Sequence, residues 1–257
     1  MRKSYKGIDI SLYQGKPDFA AVRKSGVDFV MLKASQGRTA EYDAPFSDPE
    51  FEYNIAAVSR LFHEGLYAGA YHYLCARTVA EAKAEADYFI ALVGKHRYRV
   101  RLWAAVDVED GGFLPQDKEL LSKIVAVFCD KVKQAGLRPM VYANTWWLDN
   151  RFTPPEGVPV WEANWSAASF PDRARMWQYS ASGEVGGISG AVDMNIAFDI
   201  IGDANGDGKV DMKDVSAVVR HAAGWKVSLD EIQADLDGDG FVTLKDAAKL
   251  IRLISGR

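Results

Sequence analysis

The sequence has few of the features that would bind it to a membrane or to a nucleic acid. No apolar run approaches the roughly 20 residues that a membrane-spanning helix requires. The net charge of the 257 residues is -4, so no general excess of lysine and arginine attracts polyanions. The one basic cluster, residues 95–101, is short and predicts a solvated loop between a helix and a strand. We therefore expect no membrane span and no nucleic-acid partner.

Cysteine is also scarce, with only Cys75 and Cys129 in the chain. Their spacing predicts neither a metal site nor a nucleophile, and we expect two free thiols in or near the core. A disulfide between them stays open as the alternative. The first residues, MRKSYKGIDIS, are not followed by an apolar segment, so the chain as written carries no signal peptide. It is then either cytoplasmic or secreted, with the signal already removed.

Strand-like and helix-like segments alternate through most of the chain. The predicted strands are residues 6–11, 29–35, 67–74, 102–109, 139–144, 158–165, 175–180 and 191–198. The predicted helices are residues 18–25, 49–64, 79–93 and 117–135. Alternation of this kind predicts an α/β fold with a parallel sheet, and eight strands predict a barrel whose last third is irregular.

The most informative stretch is LWAAVDVE, residues 102–109, an apolar strand that ends in Asp107 and Glu109. Residues i and i+2 of a strand point to the same side. Hydrolysis of a glycosidic bond needs one carboxyl that is protonated and a second that stays charged beside it. Asp9 and Asp193 also fall near predicted strand ends, where barrel enzymes carry their chemistry. A divalent metal site is the alternative for four clustered acids.

Aromatic side chains accompany the acids at the predicted mouth of the barrel. We expect Tyr71, Tyr142 and Trp161 to bind substrate, because aromatic rings can lie against sugars. Trp165 and the pair Trp146 and Trp147 are further candidates in loops or near strand ends.

Seven segments, in order over residues 5–200, resemble the family 25 glycoside hydrolases. They are KGIDISLYQG, FVMLKASQG, GAYHYL, AAVDVED, VYANTWW, WEANW and MWQYSASGEVGGISGAVDMNIAF. The resemblance implies a flattened barrel of five βα units and three further strands. It also implies a lysozyme (N-acetylmuramidase) that cleaves peptidoglycan between N-acetylmuramic acid and N-acetylglucosamine.

The same resemblance assigns roles to the acids. It implies that Glu109 is the general acid and then the general base, with net retention. Asp107 would orient the acetamido group of the substrate as internal nucleophile, with direct attack by an aspartate as the less favoured alternative. Asp9 and Asp193 match the other two aspartates of the family. Gln36 stands where the family often has a glutamate, which removes a charge from the mouth.

The composition changes after Gly202, where one acidic loop pattern occurs twice. Asp or Asn or Thr stands at positions 1, 3, 5, 9 and 12 of each 12-residue loop, with Gly at position 6, as calcium loops require. Including position 7, the expected ligands are Asp203, Asn205, Asp207, Lys209, Asp211, Asp214, Asp235, Asp237, Asp239, Phe241, Thr243 and Asp246. An apolar stripe at helical spacing follows each loop. We expect two structural calcium ions here and none in catalysis.

This duplicated loop and helix resembles dockerin modules, which dock onto cohesin domains of a scaffoldin, as in cellulosomes. Loop positions 10 and 11 help to choose the partner in that family; here they are Met212-Lys213 and Leu244-Lys245. Their similarity predicts two docking orientations. Only residues 199–202 separate the modules, so they are expected to pack together, with Trp225 either at that contact or in the small core.

The sequence therefore predicts a catalytic barrel over residues 1–200 and a dockerin over residues 201–257. We expect an extracellular or cell-surface muramidase that acts as a monomer on peptidoglycan strands. Two alternatives stay open: an inactive module that binds cell-wall glycan, and a chitinase-like hydrolase.

Overall fold

The computed structural model of the chain describes residues 4–256. Its strands are β1 Ser4–Ile10, β2 Phe29–Gln36, β3 Phe46–Ser47, β4 Tyr67–Tyr73, β5 Val100–Asp107, β6 Pro139–Asn144, β7 Val160–Ala163, β8 Ala174–Gly183 and β9 Val192–Phe198. Its α-helices are α1 Phe19–Lys24, α2 Phe51–Ser59, α3 Val79–Gly94, α4 Lys118–Gln134, α5 Thr145–Asn150, α6 Met212–Ala222, α7 Glu231–Ala234 and α8 Leu244–Ser255. Short 3-10 helices lie at Leu12–Gln14, Phe62–Glu64 and Gly111–Phe113.

Eight of the strands close into a barrel. The order is β1-β9-β8-β7-β6-β5-β4-β2, and pairing of β1 with β2 closes the ring. The predicted barrel of eight strands is therefore confirmed. The ninth strand, β3, pairs only with the end of β2. This strand has only two residues, which is too short to show the alternation of apolar and polar residues that identifies a strand in sequence.

The alternation of strands and helices predicted a parallel sheet, but the barrel is not wholly parallel. β9 runs antiparallel to both of its neighbours, β8 and β1. Residues 184–191, which join β8 to β9, are too few for a crossover helix, so the chain must turn back on itself. Asp193 therefore lies at the start of its strand rather than near its end. Reversal of the strand direction still brings Asp193 level with Asp9, its register partner.

Helix ends follow from side chains that cap the backbone. Thr78 and Glu81 form a capping box at the start of α3, and Asp117 caps α4. These helices match the predicted ones to within one residue at each end. The helix predicted over 49–64 instead stops at Ser59, and a 3-10 turn leads to Gly65, whose φ of 82° ends the segment.

Two layers of apolar side chains hold the barrel domain together. One layer lies between the sheet and the surrounding helices and includes Val30, Val106 and Phe128. The other fills the barrel and includes Met31 and Trp103. Cys75 and Cys129 are both buried free thiols, as expected, and burial raises the pKa of Cys75 to about 12.

The C-terminal module has a small core of its own that joins the barrel core. Leu236 and Leu253 pack against both cores, and Ile200 and Ile201 of the linker are buried among the barrel-filling side chains. The expected packing of the modules is thus present. Trp225 lies neither at the contact between the modules nor in the small core. Its side chain is 64% exposed and, among the described residues, stacks only with the Arg220 guanidinium. Within residues 4–256, no helix is long and apolar enough to cross a membrane.

Candidate active site

Strand alternation directs one ring of polar side chains inward at a single rim of the barrel. In β5, Trp103 and Ala105 fill the barrel interior, so Asp107 points the same way at the strand end. Asp9 faces Asp193 across the β1–β9 pair, and Asp107 is level with Tyr142 of β6. The acids predicted from separate segments therefore meet at one mouth.

Asp9 and Asp193 form a pair that shares a proton. Gln178 Nε2 and Asn195 Nδ2 donate to Asp9 Oδ2 over 3.0 and 2.7 Å. Burial, and then the Asp193 charge, raises the pKa of Asp9 to about 8. Burial also raises the pKa of Asp193, and a hydrogen bond from Asp9 opposes that shift. At neutral pH Asp9 is therefore protonated, and the negative charge of Asp193 is one cause of this.

Asp107 and Glu109 form the second pair. Asp107 is 5% exposed, and its Oδ1 has no hydrogen-bond partner among the described residues. Burial and the Glu109 charge raise the pKa of Asp107 well above its ordinary value. Burial and the Asp193 charge raise the pKa of Glu109, which is half-buried just beyond β5. Burial and Glu109 both oppose ionisation of Asp107, so the charge expected on Asp107 stays a prediction.

One lysine opposes this accumulation of negative charge. Lys33 of β2 is level with Tyr71 of β4, and its ammonium lowers the pKa of Asp107 and of Glu109. The Lys33 Nζ donates to Gln36 Oε1 over 2.8 Å and lies 4.9 Å from the centroid of the Tyr73 ring. Because Gln36 is neutral, it holds Lys33 without cancelling its charge.

The predicted aromatic residues differ in what they offer a sugar. Trp161 is 1% exposed, its indole N–H donates to Asn195 Oδ1 over 2.8 Å, and the Tyr142 ring lies 4.6 Å away. Trp161 has no exposed face in this structure, and its role in direct substrate contact stays a prediction. Tyr71 and Tyr142 are also largely buried, and the Tyr142 hydroxyl donates to Gln178.

Exposed tryptophans remain at the edge of the site. Trp165 is exposed, and its indole N–H donates to Gln178 Oε1 over 3.1 Å. Trp146 is exposed as well, whereas its neighbour Trp147 packs into the helix layer. Trp165 is therefore linked through Gln178 to Asp9, which ties an exposed ring to the acid cluster.

Two other buried acids are structural. Arg173 donates to both oxygens of Glu162, over 2.8 and 3.0 Å, on the outer side of β7. Glu85 of α3 accepts from His72, which lies in the layer between β4 and the helices. Neither carboxyl reaches the mouth.

The C-terminal loops hold the acids at calcium-loop spacing. In the first loop, Asp203 Oδ2 accepts from the Gly208 amide, and Asp203 Oδ1 is buried without a described partner. In the second, one carboxylate oxygen from each of Asp235, Asp237 and Asp239 lies within 4.8 Å of the others. Oxygen donors that converge in this way suit a hard cation such as calcium.

The last position of each loop also ties the loop together. Asp214 accepts from the Asn205 and Asp211 amides, and Asp246 accepts from the Leu236, Asp237 and Thr243 amides. Asp211 and Thr243 cap the helices that follow.

Comparison with known proteins identifies the larger domain. The sequence profile described as "Glycosyl hydrolases family 25" matches residues 8–188, more than half of the chain. The chain belongs to family 25 of the glycosyl hydrolases. A second profile, "Dockerin type I domain", matches residues 201–255. Both resemblances read from the sequence are thereby confirmed.

Named family 25 relatives share this domain. The "Autolytic lysozyme" of Clostridium acetobutylicum is 34% identical over 193 residues, which cover 74% of this chain and 55% of that protein. "Lysozyme M1" of Streptomyces globisporus is 29% identical over 208 residues, covering 74% of this chain and 66% of that protein. The chain thus spans between about half and two thirds of the length of these relatives.

Solved structures agree on the fold. The modular autolysin LytC of Streptococcus pneumoniae, in complex with a synthetic peptidoglycan ligand, has a TM-score of 0.64 and 25% identity, covering 75% of this chain and 46% of that one. A family 25 glycosyl hydrolase of Bacillus anthracis has a TM-score of 0.62 and 23% identity, covering 75% and 88%.

Three polar residues of the family 25 domain were not predicted from the sequence. Gln178 and Asn195 hold Asp9, and Lys33 faces the acids. Each lies on a strand whose apolar neighbours dominate the pattern. A polar residue in an otherwise buried strand was the signal available for all three.

Proposed function

We propose that this chain is a peptidoglycan hydrolase that cleaves the β-1,4 bond between N-acetylmuramic acid and N-acetylglucosamine with net retention. The observation that carries the proposal is the unpaired Oδ1 of Asp107, buried at the mouth beside Glu109. A buried carboxylate oxygen without a donor is costly, and the N–H of an acetamido group can supply that donor. Family membership and the names of the relatives support the same substrate.

Glu109 acts first as the acid. Its carboxyl proton passes to the glycosidic oxygen as the bond to the sugar C1 breaks, and the acetamido carbonyl oxygen attacks C1 from the opposite face. Asp107 accepts the acetamido N–H and stabilises the positive charge of the cyclic intermediate. Glu109, now a carboxylate, removes a proton from water, whose oxygen attacks C1 and restores the acetamido group.

The remaining groups set the charge around this pair. The anionic Asp193 favours the proton on Glu109, and Lys33 favours the anionic form of Asp107. Asp9, held by Gln178 and Asn195, fixes the position of Asp193.

Glu109→Gln should reduce the release of reducing ends from purified peptidoglycan by about 10²–10⁴-fold, because it removes the proton donor. Asp107→Asn should also reduce release. Glu156→Gln, at an exposed glutamate, is the matched control and should leave the rate unchanged. The products should be identified by muropeptide analysis, which reports the bond that is cleaved.

Three results would contradict the assignment. An active Glu109→Gln variant would exclude Glu109 as the acid. Binding of peptidoglycan without release by the wild type would favour a glycan-binding module, and faster cleavage of chitin would favour a chitinase-like hydrolase.

We also propose that the dockerin binds two calcium ions and docks onto a cohesin, which holds the enzyme outside the cell. The buried Asp203 Oδ1 and the convergent acids of the second loop fit the ion. The loop residues Asn205, Asp207, Asp211, Asp214, Thr243 and Asp246, with the carbonyls of Lys209 and Phe241, would complete the two sites. The ions would fold and stiffen the module.

The docking residues should act as two alternative sites. Met212 and Leu244 are 59% and 63% exposed at equivalent places on α6 and α8, beside the exposed Lys213 and Lys245. Alanine substitution of either pair alone should leave cohesin affinity nearly unchanged in calorimetric titration, and substitution of both pairs should abolish binding. Loss of binding after substitution of Met212 and Lys213 alone would exclude the dual mode.

A further inference from the structure

Three arginines lie at the end of the barrel opposite the acids. Arg101 is the second residue of β5, Arg138 directly precedes β6, and Arg175 is the second residue of β8. These strands run towards the acidic rim, so their first residues lie at the barrel base. All three side chains reach the dockerin or the linker before it.

Arg101 makes the most extensive of these contacts. Its Nη1 donates to the carbonyls of Ile232 and Asp235 over 3.0 and 2.6 Å, and its Nη2 donates to Asp235 Oδ2 over 3.1 Å. The Arg101 carbonyl accepts from Gln233 Nε2 over 2.7 Å. Arg101 is 5% exposed, so the basic cluster predicted as a solvated loop ends in a buried charge. Every partner named here belongs to the dockerin.

The other two arginines contact the first calcium loop. Arg138 Nη2 lies 3.9 Å from Asp203 Oδ2, and Arg175 Nη1 donates to the Gly208 carbonyl over 2.8 Å. Arg175 Nη2 also donates to the Asp199 carbonyl over 2.9 Å. Asp203 and Asp235 occupy position 1 of their loops. The barrel therefore places a guanidinium against the first acid of both loops.

Close backbone packing accompanies the ion pairs. A Cβ atom on Gly238, at position 4 of the second loop, would lie 2.4 Å from the Phe62 ring of the barrel. The same ring lies 4.3 Å below the Arg101 guanidinium. Only a residue without a side chain permits this approach, and the φ of 73° at Gly238 also favours glycine.

We propose that the barrel base is the docking surface for the calcium-binding module of the same chain, and that calcium binding stabilises the barrel through it. This proposal rests on the calcium assignment made above. Calcium would draw the acids of each loop together and fix the first aspartate against its arginine. Without the ion, repulsion among the acids loosens the loops and weakens the ion pair between Asp235 and Arg101. A buried guanidinium without partners destabilises the domain that carries it.

The test is the unfolding of the full chain with saturating calcium and with a chelator. Near-ultraviolet circular dichroism of the buried Trp103 and Trp161 reports the barrel, and calorimetric titration reports calcium binding. We expect calcium to raise the barrel midpoint by about 5 °C or more. In Arg101→Met the barrel midpoint should respond less than half as much, while titration still detects calcium.

Arg99→Met is the matched control, because Arg99 is exposed two residues earlier and should keep the full response. Arg175→Gln, at a partly exposed position, should lose part of the response and serves as the second variant if Arg101→Met does not fold. An unchanged wild-type midpoint, or a full response in both variants, would overturn the proposal. Absence of calcium binding in titration would instead overturn the calcium assignment itself.

Discussion

At the scale of single residues, the four rim acids differ in which neighbour controls their protonation. Glu109 faces the Asp193 charge, which raises its pKa, and the Lys33 ammonium, which lowers it. Asp107 faces Glu109, Asp9 and the same lysine. Removal of a negative charge and removal of a positive charge at this mouth should therefore shift the pH profile of kcat/KM in opposite directions.

We expect Asp193→Asn to shift the alkaline limb of kcat/KM to lower pH by about one unit, because the pKa of Glu109 falls when the negative charge is removed. Lys33→Met should shift the same limb to higher pH, because the opposing positive charge is lost. The measurement is the rate on soluble peptidoglycan fragments across the pH range.

Lys24→Met, at an exposed lysine of α1, is the control and should leave the profile in place. A shift of both rim variants in one direction would show that the two charges do not act on Glu109 in the way inferred here.

Asp9 makes the folded protein sensitive to pH. Its pKa is raised from 3.8 to about 8, so the folded state keeps a proton that the unfolded chain releases between these values. The associated stability is present below pH 4 and is lost as the pH rises towards 8. Asp9→Asn copies the protonated form and should be more stable than the wild type at pH 8 by roughly 1–3 kcal/mol.

Chemical denaturation at pH 4 and pH 8 measures this difference. Asp43→Asn, in an exposed loop, should show no such dependence. A difference between Asp9→Asn and the wild type that does not grow with pH would contradict the sharing of a proton with Asp193.

The position of the acids at one rim of the barrel was predictable from the sequence. Period-two alternation and strand direction can both be inferred from a short apolar run. The catalytic roles of the acids stay predictions. The burial of Trp161 was not predictable, because a tryptophan at a strand end looks the same in sequence whether its ring faces solvent or fills the barrel. Gln178 and Asn195 were missed because a polar residue in a buried strand does not show in sequence which distant residue it bonds to.

At the scale of elements, the βα units were predictable because each has caps, periodicity and a closing glycine. The direction of β9 was not, since it depends on the number of residues left for the connection. The two acidic loops were predictable from spacing, but their contact with the barrel was not, because Arg101 looks like any other basic residue of its cluster.

The loops should respond unequally to loss of their first acid. In a chelator, Asp235→Asn should lower the free energy of unfolding by about 3–5 kcal/mol, because it leaves Arg101 buried without its ionic partner. Asp203→Asn should lower the free energy of unfolding by less, because Arg138 is farther from Asp203 than Arg101 is from Asp235 and is more exposed.

Asp237→Asn is the control from the same loop. Its partner would be calcium rather than an arginine, so it should reduce calcium binding in titration with little effect on stability in the chelator. Equal costs for Asp235→Asn and Asp237→Asn would argue against a structural role of the Arg101 ion pair.

At the scale of the whole molecule, the dockerin is packed against the barrel rather than joined to it by a long linker. The linker side chains Ile200 and Ile201 are buried, and Leu236 and Leu253 join the two cores. The outer faces of α6 and α8, with Met212 and Leu244, stay exposed despite this contact. The near absence of a linker, visible in the sequence, was a correct indication of packing but could not say which surfaces meet.

The position of the dockerin at the barrel base has a geometric consequence for the attached enzyme. Seven or eight residues of strand separate the base from the acids, a distance of roughly 25 Å along the tilted strands. A scaffold bound to the module would stand behind the enzyme, with the cleft directed outward into the wall. Tethering and digestion would then not compete for space, and the reach of the enzyme into cross-linked material would be set by the stiff body of the chain itself.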